Sequence, residues 1–293
     1  MRFYLVVNLD KPNAADCAAQ ATAELLHYGA EVLLTPELNR VLNLTGVQIL
    51  SETEAMRNSD AAISIGGDGT MIHTALTALE FDRPVIGINS GRLGYLTQIE
   101  PPFGESLRKL ANGEFVIQPR TVLAVTVHQP DGKICRSCAL NDVVIARQMV
   151  ASMIDIEVYR NSTAFASYRA DGLIFATPTG STAYSMSAGG AIVDPGMDCL
   201  IVTPICPHSL ADRSVVLGPD VPLEVRLITR NTPPDAGVAV DGITICPMVE
   251  GTRLEISADS RKSKFIQLSA SSFYQTLGKK LTGTEPAEIE RKA

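Results

Sequence analysis

The stretch ISIGGDGT, residues 63–70, places three glycines around Asp68 directly after a short apolar run. Its pattern predicts a strand that ends at Ile65 and a helix that begins near Thr70, a residue type that often caps helices. Open α/β sheets bind ligands at the carboxyl ends of their parallel strands. Glycines there can adopt positive φ and let phosphate oxygens approach backbone N–H groups. The stretch therefore indicates an α/β fold with a phosphate-binding turn. It leaves open a tight turn in which the aspartate is an ordinary helix cap.

The sequence pattern changes once along the chain. Residues 1–118 alternate short runs rich in Val, Ile and Leu with stretches of helical periodicity, which is typical of βαβ units and a parallel sheet. Residues 119–268 hold mostly short strands separated by turns such as QPDGK and NTPPDAG. Residues 269–293 return to helical spacing, and we expect this tail to pack back on the first domain. The predicted fold is a Rossmann-like α/β domain followed by a β-rich, sandwich-like domain.

Composition and charge narrow the classes of function. The 293 residues are 45% apolar and 19% charged, which is enough for buried cores in two domains. A net charge of −7 opposes binding to nucleic acid, so a small-molecule partner is expected. The sequence lacks an apolar run of about 18 residues, and polar residues come too early in MRFYLVVNLDKPN for a signal peptide. We therefore expect a cytoplasmic protein that does not span a membrane.

The six cysteines are too sparse for a disulfide scaffold in a chain of this length. Cys135 and Cys138 have CxxC spacing, but a second pair and a nearby histidine are both missing from the sequence around them. Four ligands for a structural zinc ion are therefore not available there. We interpret the cysteines as reduced thiols and predict no metal-ligating residues.

The aspartate in the glycine turn points to phosphoryl transfer. The sequence contains neither the GxxxxGK[ST] nor the GxGxxG fingerprint, and a GxSxG nucleophile elbow is also absent. An anion beside a phosphate must either bind a metal or accept a proton from an attacking hydroxyl. Asp68 is therefore the candidate catalytic residue of a kinase.

Two further motifs lie in the β-rich part. ALNDVVIAR places Asn141 and Asp142 in an apolar strand, where an amide and a carboxylate can read adenine or ribose groups. A simple turn or bulge is the alternative. The segment at 168–195, YRADGLIFATPTGSTAYSMSAGGAIVDP, is rich in threonine, serine and glycine between two apolar runs. Such small side chains suggest a backbone folded closely around a ligand, with a helix that starts near residues 181–183.

Taken together, these motifs resemble the NAD kinase family. GGDGT by itself is shared with diacylglycerol-type lipid kinases and, as GGDGS, with phosphofructokinases. The threonine-rich block matches NAD kinases almost residue for residue, and NSGRLGYL at 89–96 and TPICPHSLADRSVVL at 203–217 match further segments. The resemblance implies transfer of the γ-phosphate of ATP to the 2′-hydroxyl of the adenosine ribose of NAD, which gives NADP.

The resemblance also implies roles for residues of the first domain. Asp68 corresponds to the general base at the ribose hydroxyl, with Gly67 and Gly69 beside it in the binding turn. His73 lies where the family often has a basic residue near phosphate. A partly exposed helix position is the alternative interpretation of this histidine.

In the second domain the resemblance gives Asn141 and Asp142 contacts with ribose or adenine groups. Arg169 and Asp171 fall at substrate-contact positions. Asp241 falls near the pocket, although Asp-Gly is also an ordinary hairpin turn signal. Four residues of the threonine-rich block line the NAD pocket by the same correspondence: Thr182, Ala183, Tyr184 and Ser187.

This chain departs from the family at two positions. Asp142 stands where glutamate is frequent, and Ser214 stands where proline is usual. The first change shortens a side chain by one methylene, and the second affects loop stiffness.

Several expectations concern partners. The motifs contain few basic residues, so we expect Mg²⁺ and backbone dipoles to balance the charge of the nucleotide. The family forms dimers and tetramers, so we expect a homodimer or homotetramer. A lipid or sugar kinase and a non-catalytic NAD(H) sensor are the rival functions. The sequence leaves open the use of inorganic polyphosphate and the choice between NAD and NADH.

Overall fold

The chain divides into two compact units. They are Met1–Pro119 with Ser263–Ala293, and Arg120–Lys262. The computed structural model describes residues 1–91, 94–148, 152–220, 222–228, 236–269 and 272–282.

The secondary structure follows the two predicted patterns, strands alternating with helices in the first part of the chain and mostly strands in the second. The strands up to the unit boundary are β1 (Arg2–Val7), β2 (Glu31–Leu34), β3 (Gln48–Ile49), β4 (Ala61–Gly66), β5 (Val85–Asn89) and β6 (Val116–Arg120). The later strands are β7 (Leu123–His128), β8 (Ile134–Ala139), β9 (Asp142–Arg147), β10 (Ile154–Arg160), β11 (Thr163–Ala170), β12 (Gly172–Ala176), β13 (Leu200–Ile205), β14 (Val215–Leu217), β15 (Leu223–Ile228), β16 (Ala236–Val240), β17 (Ile243–Met248), β18 (Arg253–Ala258) and β19 (Ser263–Gln267). The helices are α1 (Ala14–His27), α2 (Pro36–Leu42), α3 (Glu52–Asn58), α4 (Asp68–Leu79), α5 (Glu105–Asn112), α6 (Tyr184–Ser187) and α7 (Ser272–Thr282).

The first unit is built on a sheet with the order β3-β2-β1-β4-β5-β19-β6. Strand β1 pairs in parallel with both β2 and β4, and β4 pairs in parallel with β5. Strands β4 and β5 are buried along their whole length, which explains their continuous apolar sequences. The chain runs outward from β1 in one direction and from β4 in the other. Their carboxyl ends therefore form the switch point at which open α/β sheets bind ligands.

Helices α1 and α4 owe their position to apolar stripes. In α1 the buried residues recur at three- and four-residue intervals from Ala14 to Leu25, which presents one face to the sheet. Helix α4 buries Met71, Ala75 and Leu79 in the same way. Each helix follows the carboxyl end of a parallel strand, α4 after one residue and α1 after a short loop, so their first turns lie at the switch-point edge.

The second unit contains two antiparallel six-stranded sheets. Their orders are β11-β10-β15-β18-β7-β8 and β14-β13-β12-β9-β16-β17. Inward side chains of both sheets form one apolar core, to which Val125 and Ile156 contribute from the first sheet and Ile145 and Phe175 from the second. The alternation of buried and half-buried residues in β7 and β16 is the period-two pattern of such sheets.

The predicted fold class, a Rossmann-like α/β domain with a β-rich second domain, is confirmed by this architecture. The predicted division at residues 118 and 268 differs from the observed one at its second boundary. Strand β19 pairs with β5 through Phe265 and Val85 and so belongs to the parallel sheet of the first unit. Among the described residues, none of the helices is both long enough and apolar enough to cross a membrane.

Candidate functional site

The glycine turn is located at the switch-point edge of the first unit, between β4 and α4. The helix begins at Asp68 with Gly67 as its N-cap, two residues earlier than predicted from Thr70. Glycine can adopt positive φ, but Gly66, Gly67 and Gly69 do not use that freedom here. Their contribution is the missing side chain. A Cβ at Gly67 or Gly69 would meet no atom of the described residues within 4 Å, so the backbone before and after Asp68 is uncrowded.

The carboxylate of Asp68 is held by a loop that follows β5. The backbone N–H groups of Tyr95 and Leu96 donate to its two oxygens at 2.8 and 3.0 Å. Gly94 makes this approach possible, because a Cβ at that position would lie 1.9 Å from Asp68 Oδ1. The structure thus brings GGDGT together with the NSGRLGYL segment. Sequence reasoning matched that segment to the family but did not identify its contact with Asp68.

A polar cavity of about 500 Å³ opens at the same edge, between the start of α1 and the loop after β5. Asn89 donates to Glu100 at 2.7 Å, and the Ser90 N–H donates to the Gly66 carbonyl at 3.2 Å, which joins this loop to the glycine turn. The Ser90 hydroxyl is buried and has no hydrogen-bond partner among the described residues. The edge therefore offers free polar groups beside the turn. His73 is exposed on α4, one turn beyond the glycines, and its role near phosphate stays a prediction.

The second unit contains a separate cluster around Asn141. The carboxylate of Asp241 accepts hydrogen bonds from the backbone N–H groups of Leu140, Asn141 and Asp142 at 2.8, 2.8 and 3.0 Å. Asp241 and Gly242 both have positive φ and connect β16 to β17, so the hairpin interpretation of Asp-Gly is correct for the backbone. The side chain acts in addition as a clamp on the loop that contains Asn141.

The threonine-rich block packs on the same loop. The Thr177 N–H donates to the Asn141 carbonyl at 2.8 Å, and the Thr177 hydroxyl donates to the Leu140 carbonyl at 2.6 Å. A Cβ at Gly180 would lie 2.0 Å from the backbone carbonyl oxygen of Asn141, so glycine is needed for this close approach. The side-chain oxygen Oδ1 of Asn141 is buried and has no partner among the described residues. The loop is thus fixed on both sides while one acceptor stays free for a ligand.

Asp142 is an acid in an unfavourable environment for its charge. It is 5% exposed, and burial together with the neighbouring Asp241 carboxylate raises its pKa to about 7. Burial also raises the pKa of Asp241, although the three backbone N–H groups oppose that shift. One proton is therefore readily held at this pair near neutral pH.

The predicted residues of the threonine-rich block differ in exposure. Tyr184 and Ser187 are exposed and Ala183 is half-buried. Thr182 is buried, and its hydroxyl donates to the Thr179 carbonyl at 3.3 Å. The predicted helix start near residues 181–183 is a 3-10 turn, Thr179–Thr182, followed by the short helix α6. Only part of the block therefore presents side chains outward.

A chain of three hydroxyl groups connects helix α6 with strand β13 and with the segment that precedes β14. Ser185 contacts Thr203 at 3.0 Å, and Thr203 contacts Ser214 at 2.8 Å between hydroxyl oxygens. Ser214, which stands where the family usually has proline, therefore takes part in a hydrogen bond that proline could not make. Sequence reasoning did not connect these three residues.

Arg169 and Asp171 lie outside this cluster of contacts. Asp171 makes a two-pronged ion pair with Arg147, at 2.7 and 3.1 Å, and is about three-quarters buried. Arg169 is exposed on β11. The described residues contain no group of three His, Cys, Asp or Glu side chains that could hold a metal ion.

Comparisons with known proteins agree with the motifs. Family models described as the ATP-NAD kinase N-terminal and C-terminal domains match residues 3–115 and 140–268. An NAD kinase of Symbiobacterium thermophilum is 38% identical over 286 residues, which cover 97% of this chain and 99% of that protein.

Solved structures agree as well. Yeast NADH kinase complexed with NADH has a TM-score of 0.85 at 22% identity, with 98% of this chain and 88% of the yeast chain covered. An NAD kinase from Archaeoglobus fulgidus in complex with ATP has a TM-score of 0.69 at 25% identity, with 95% and 98% covered. The yeast structure supports the fold alone. The resemblance inferred from the motifs is confirmed by the family models and the sequence relatives, and the chain belongs to the NAD kinase family.

Proposed function

We propose that the protein transfers the γ-phosphate of ATP to the 2′-hydroxyl of the adenosine ribose of NAD, with Asp68 as the general base. The observation that carries this proposal is the fixed carboxylate of Asp68 between two glycines without side chains. Two backbone N–H groups set its position, and its side chain is only partly buried, so a hydroxyl can reach it. A ribose hydroxyl is a poor nucleophile, so a base held in line with a phosphate supplies catalysis by position and by proton removal.

The proposed contacts with NAD come from the cluster around Asn141. Its free Oδ1 accepts a hydrogen bond from an adenine amino group or a ribose hydroxyl, and satisfying a buried acceptor stabilises the bound nucleotide. Exposed Tyr184 offers a ring for stacking, and Ser187 offers a hydroxyl. Asp241 acts here as a positioning residue, because backbone N–H groups already occupy its carboxylate.

We propose that Mg²⁺ arrives with the donor. Mg²⁺ at kinase sites is held by substrate phosphates and water together with one or two carboxylates, and does not need a dedicated set of protein ligands. When bound, the ion neutralises phosphate charge. Activity that is lost with a chelator and restored by added Mg²⁺ is the expected result.

The decisive variant is Asp68→Asn, which keeps the shape of the side chain and removes its basicity. We expect turnover to fall by roughly 10²- to 10⁴-fold, the range for a general base, while calorimetric binding of NAD changes little. Glu37→Gln, on the exposed side of α2, is the matched control and should leave turnover unchanged. Near-normal turnover in Asp68→Asn would remove this residue from the mechanism.

The acceptor and the donor are tested separately. Wild-type protein is incubated with labelled ATP and with NAD, NADH, diacylglycerol or a hexose phosphate, and the phosphorylated product is identified. We expect NADP or NADPH only. NAD binding without product would instead identify a sensor. Replacing ATP with inorganic polyphosphate in the same assay measures the second possible donor.

We also propose that the protein works in the cytoplasm as a homodimer or homotetramer. All six cysteines are free thiols, which suits a reducing compartment. The two edge strands of one sandwich sheet expose apolar side chains, with Val216 48% exposed on β14 and Ile243 70% exposed on β17. Light scattering after gel filtration should give the mass of two or four chains.

A further inference from the structure

Cys135 and Cys138 do not form a pair, despite their CxxC spacing. Both lie in β8, where residues three apart point to opposite faces of the sheet. Cys135 packs against the core of the sandwich. Cys138 faces the other way, where its sulfur contacts Asp259 at 3.5 Å and Arg261 at 3.7 Å. A disulfide within the motif would require the strand to be broken.

The partner of Cys135 is Cys246 in β17. Cys246 belongs to the core of the second unit with Cys135 packed against that core, and, after burial, the interaction with Cys135 contributes to the raised pKa of Cys246. Strand β8 is the last strand of one sheet and β17 is the last strand of the other. The thiol pair therefore links the two sheets at their edges, between segments more than a hundred positions apart in the sequence.

A cavity gives small molecules access to this pair. Its volume is about 360 Å³, and both cysteines contribute to its wall together with Lys133 and Val249. Cys135 is partly exposed, whereas Cys246 is buried and its pKa is raised to about 11, chiefly by burial. Cys135 is thus the thiol that a reagent meets first, and Cys246 is placed to react second.

The same two chain segments are already tied at a second point. Strand β8 continues into Leu140 and Asn141, and β17 follows Asp241, whose carboxylate accepts the Leu140 N–H at 2.8 Å. A bond between residues 135 and 246 would join these segments again, five positions from Leu140 on one side and five from Asp241 on the other. The thiol pair therefore lies on the same two chain segments that Asp241 already joins.

We propose that Cys135 and Cys246 form a thiol–disulfide exchange site that reacts with low-molecular-weight disulfides and closes into a bond between the two sheets. The Cys135 thiolate attacks one sulfur of the small disulfide, forms a mixed disulfide and releases one thiolate. Cys246 then loses its proton and attacks the Cys135 sulfur, which releases the second thiolate. The protein loses two hydrogens and two electrons, and the small disulfide is reduced to two thiols.

The test uses the full-length reduced protein and oxidised glutathione as the probe. After incubation, remaining thiols are alkylated and peptides are mapped by mass spectrometry without reduction. We expect a cross-link between the peptides of Cys135 and Cys246, and a rise in Tm of roughly 5 °C because the bond closes a long loop. A reducing agent should reverse both changes.

Three variants make the result specific. Cys138→Ser should form the cross-link as the wild type does. Cys246→Ser should stop at a mixed disulfide on Cys135, and Cys135→Ser should react at neither position. A Cys135–Cys138 cross-link, six alkylated thiols after oxidation, or a cross-link that lowers Tm would each overturn the proposal. None of these readouts depends on kinase activity, so the site is tested independently of the proposed function.

Discussion

Asp68 in the first unit and Asp241 in the second hold distant segments of the chain by the same interaction. Each carboxylate accepts hydrogen bonds from consecutive backbone N–H groups, Tyr95 and Leu96 for Asp68, and Leu140 to Asp142 for Asp241. Hydrogen bonds from N–H groups to a charged acceptor are stronger than those between neutral groups. Both aspartates therefore fix the geometry of a loop that neither the local turn nor the strand pattern determines.

The surroundings of the two aspartates differ. Asp68 is only partly buried and has bare glycines on both sides, so a ligand can approach its carboxylate. Asp241 receives three N–H groups, sits in a hairpin turn and neighbours the buried acid Asp142. The first arrangement allows a carboxylate to anchor a loop and still take a proton. In the second arrangement, backbone N–H groups occupy the carboxylate of Asp241, and Asn141 is the residue that remains available to bind a ligand.

Among variants that leave Asp68 itself unchanged, the largest effect should come from moving its carboxylate. In Gly94→Ala the new methyl would lie 1.9 Å from Asp68 Oδ1 and 2.6 Å from its Cγ, so the carboxylate must leave its two N–H donors. We expect turnover to fall by roughly 10²-fold, since a displacement of about 1 Å at a reacting group has this size of effect. Turnover is measured at saturating NAD and ATP, with circular dichroism to verify folding.

Gly69→Ala is the stability control for this variant. Its methyl would meet no described atom, and alanine in a helix is favoured over glycine by roughly 0.5–1 kcal/mol. Folding should therefore be unharmed in Gly69→Ala. If Gly94→Ala folds and turns over like the wild type, the placement of Asp68 by its loop has no role in catalysis.

A smaller effect should follow from Asp241→Asn. Asparagine tolerates the positive φ of 47° at this turn, so the hairpin is kept. Its amide group, however, turns a donor toward one of the backbone N–H groups that the carboxylate accepts. We expect roughly a tenfold rise in KM for NAD, equivalent to the loss of about one such hydrogen bond, with a smaller change in kcat. A fall in kcat with KM unchanged would show that Asp241 acts on chemistry and not on the position of Asn141.

The sequence predicts the fold class and the motifs, but not the contacts between motifs. The strand before Gly66 and the Asp-Gly turn at 241 follow from local patterns. The hydrogen bond between Asp241 and Asn141 joins positions 100 residues apart, and periodicity carries no information about such partners. Gly94 is a similar case. A side chain at this position would collide with Asp68, so glycine is required by a distant contact and not by its own φ.

One feature that the sequence analysis did not predict had a local signal. Helix α3 begins with a capping box between Ser51 and Glu54, which the sequence displays as S-x-x-E, although only two residues of this short helix are buried. The odd spacing of Cys135 and Cys138 within a strand is a second local signal, and it agrees with their interpretation as unpaired reduced thiols. Neither signal required the partner element to be known.

The smallest expected effect is a pH dependence of stability that only the second region should show. The pKa of Asp142 is raised to about 7 by burial and by Asp241, against about 3.9 for an unfolded aspartate. The folded state therefore favours the protonated acid. Its contribution to stability is fully present below about pH 4 and is lost as the pH rises through about 7.

Urea unfolding near pH 5.5 and pH 7.5 measures this effect. The wild type should lose on the order of 1 kcal/mol of unfolding free energy between these conditions beyond the loss in Asp142→Asn, whose neutral amide does not titrate. Exposed Asp220, changed to asparagine, should leave the wild-type dependence intact. Equal pH dependence in the wild type and Asp142→Asn would mean that the acid is ionised in the folded protein at both pH values. The contrast between an accessible carboxylate at Asp68 and a proton-holding pair at Asp142 and Asp241 would then fail, because both regions would carry full negative charge.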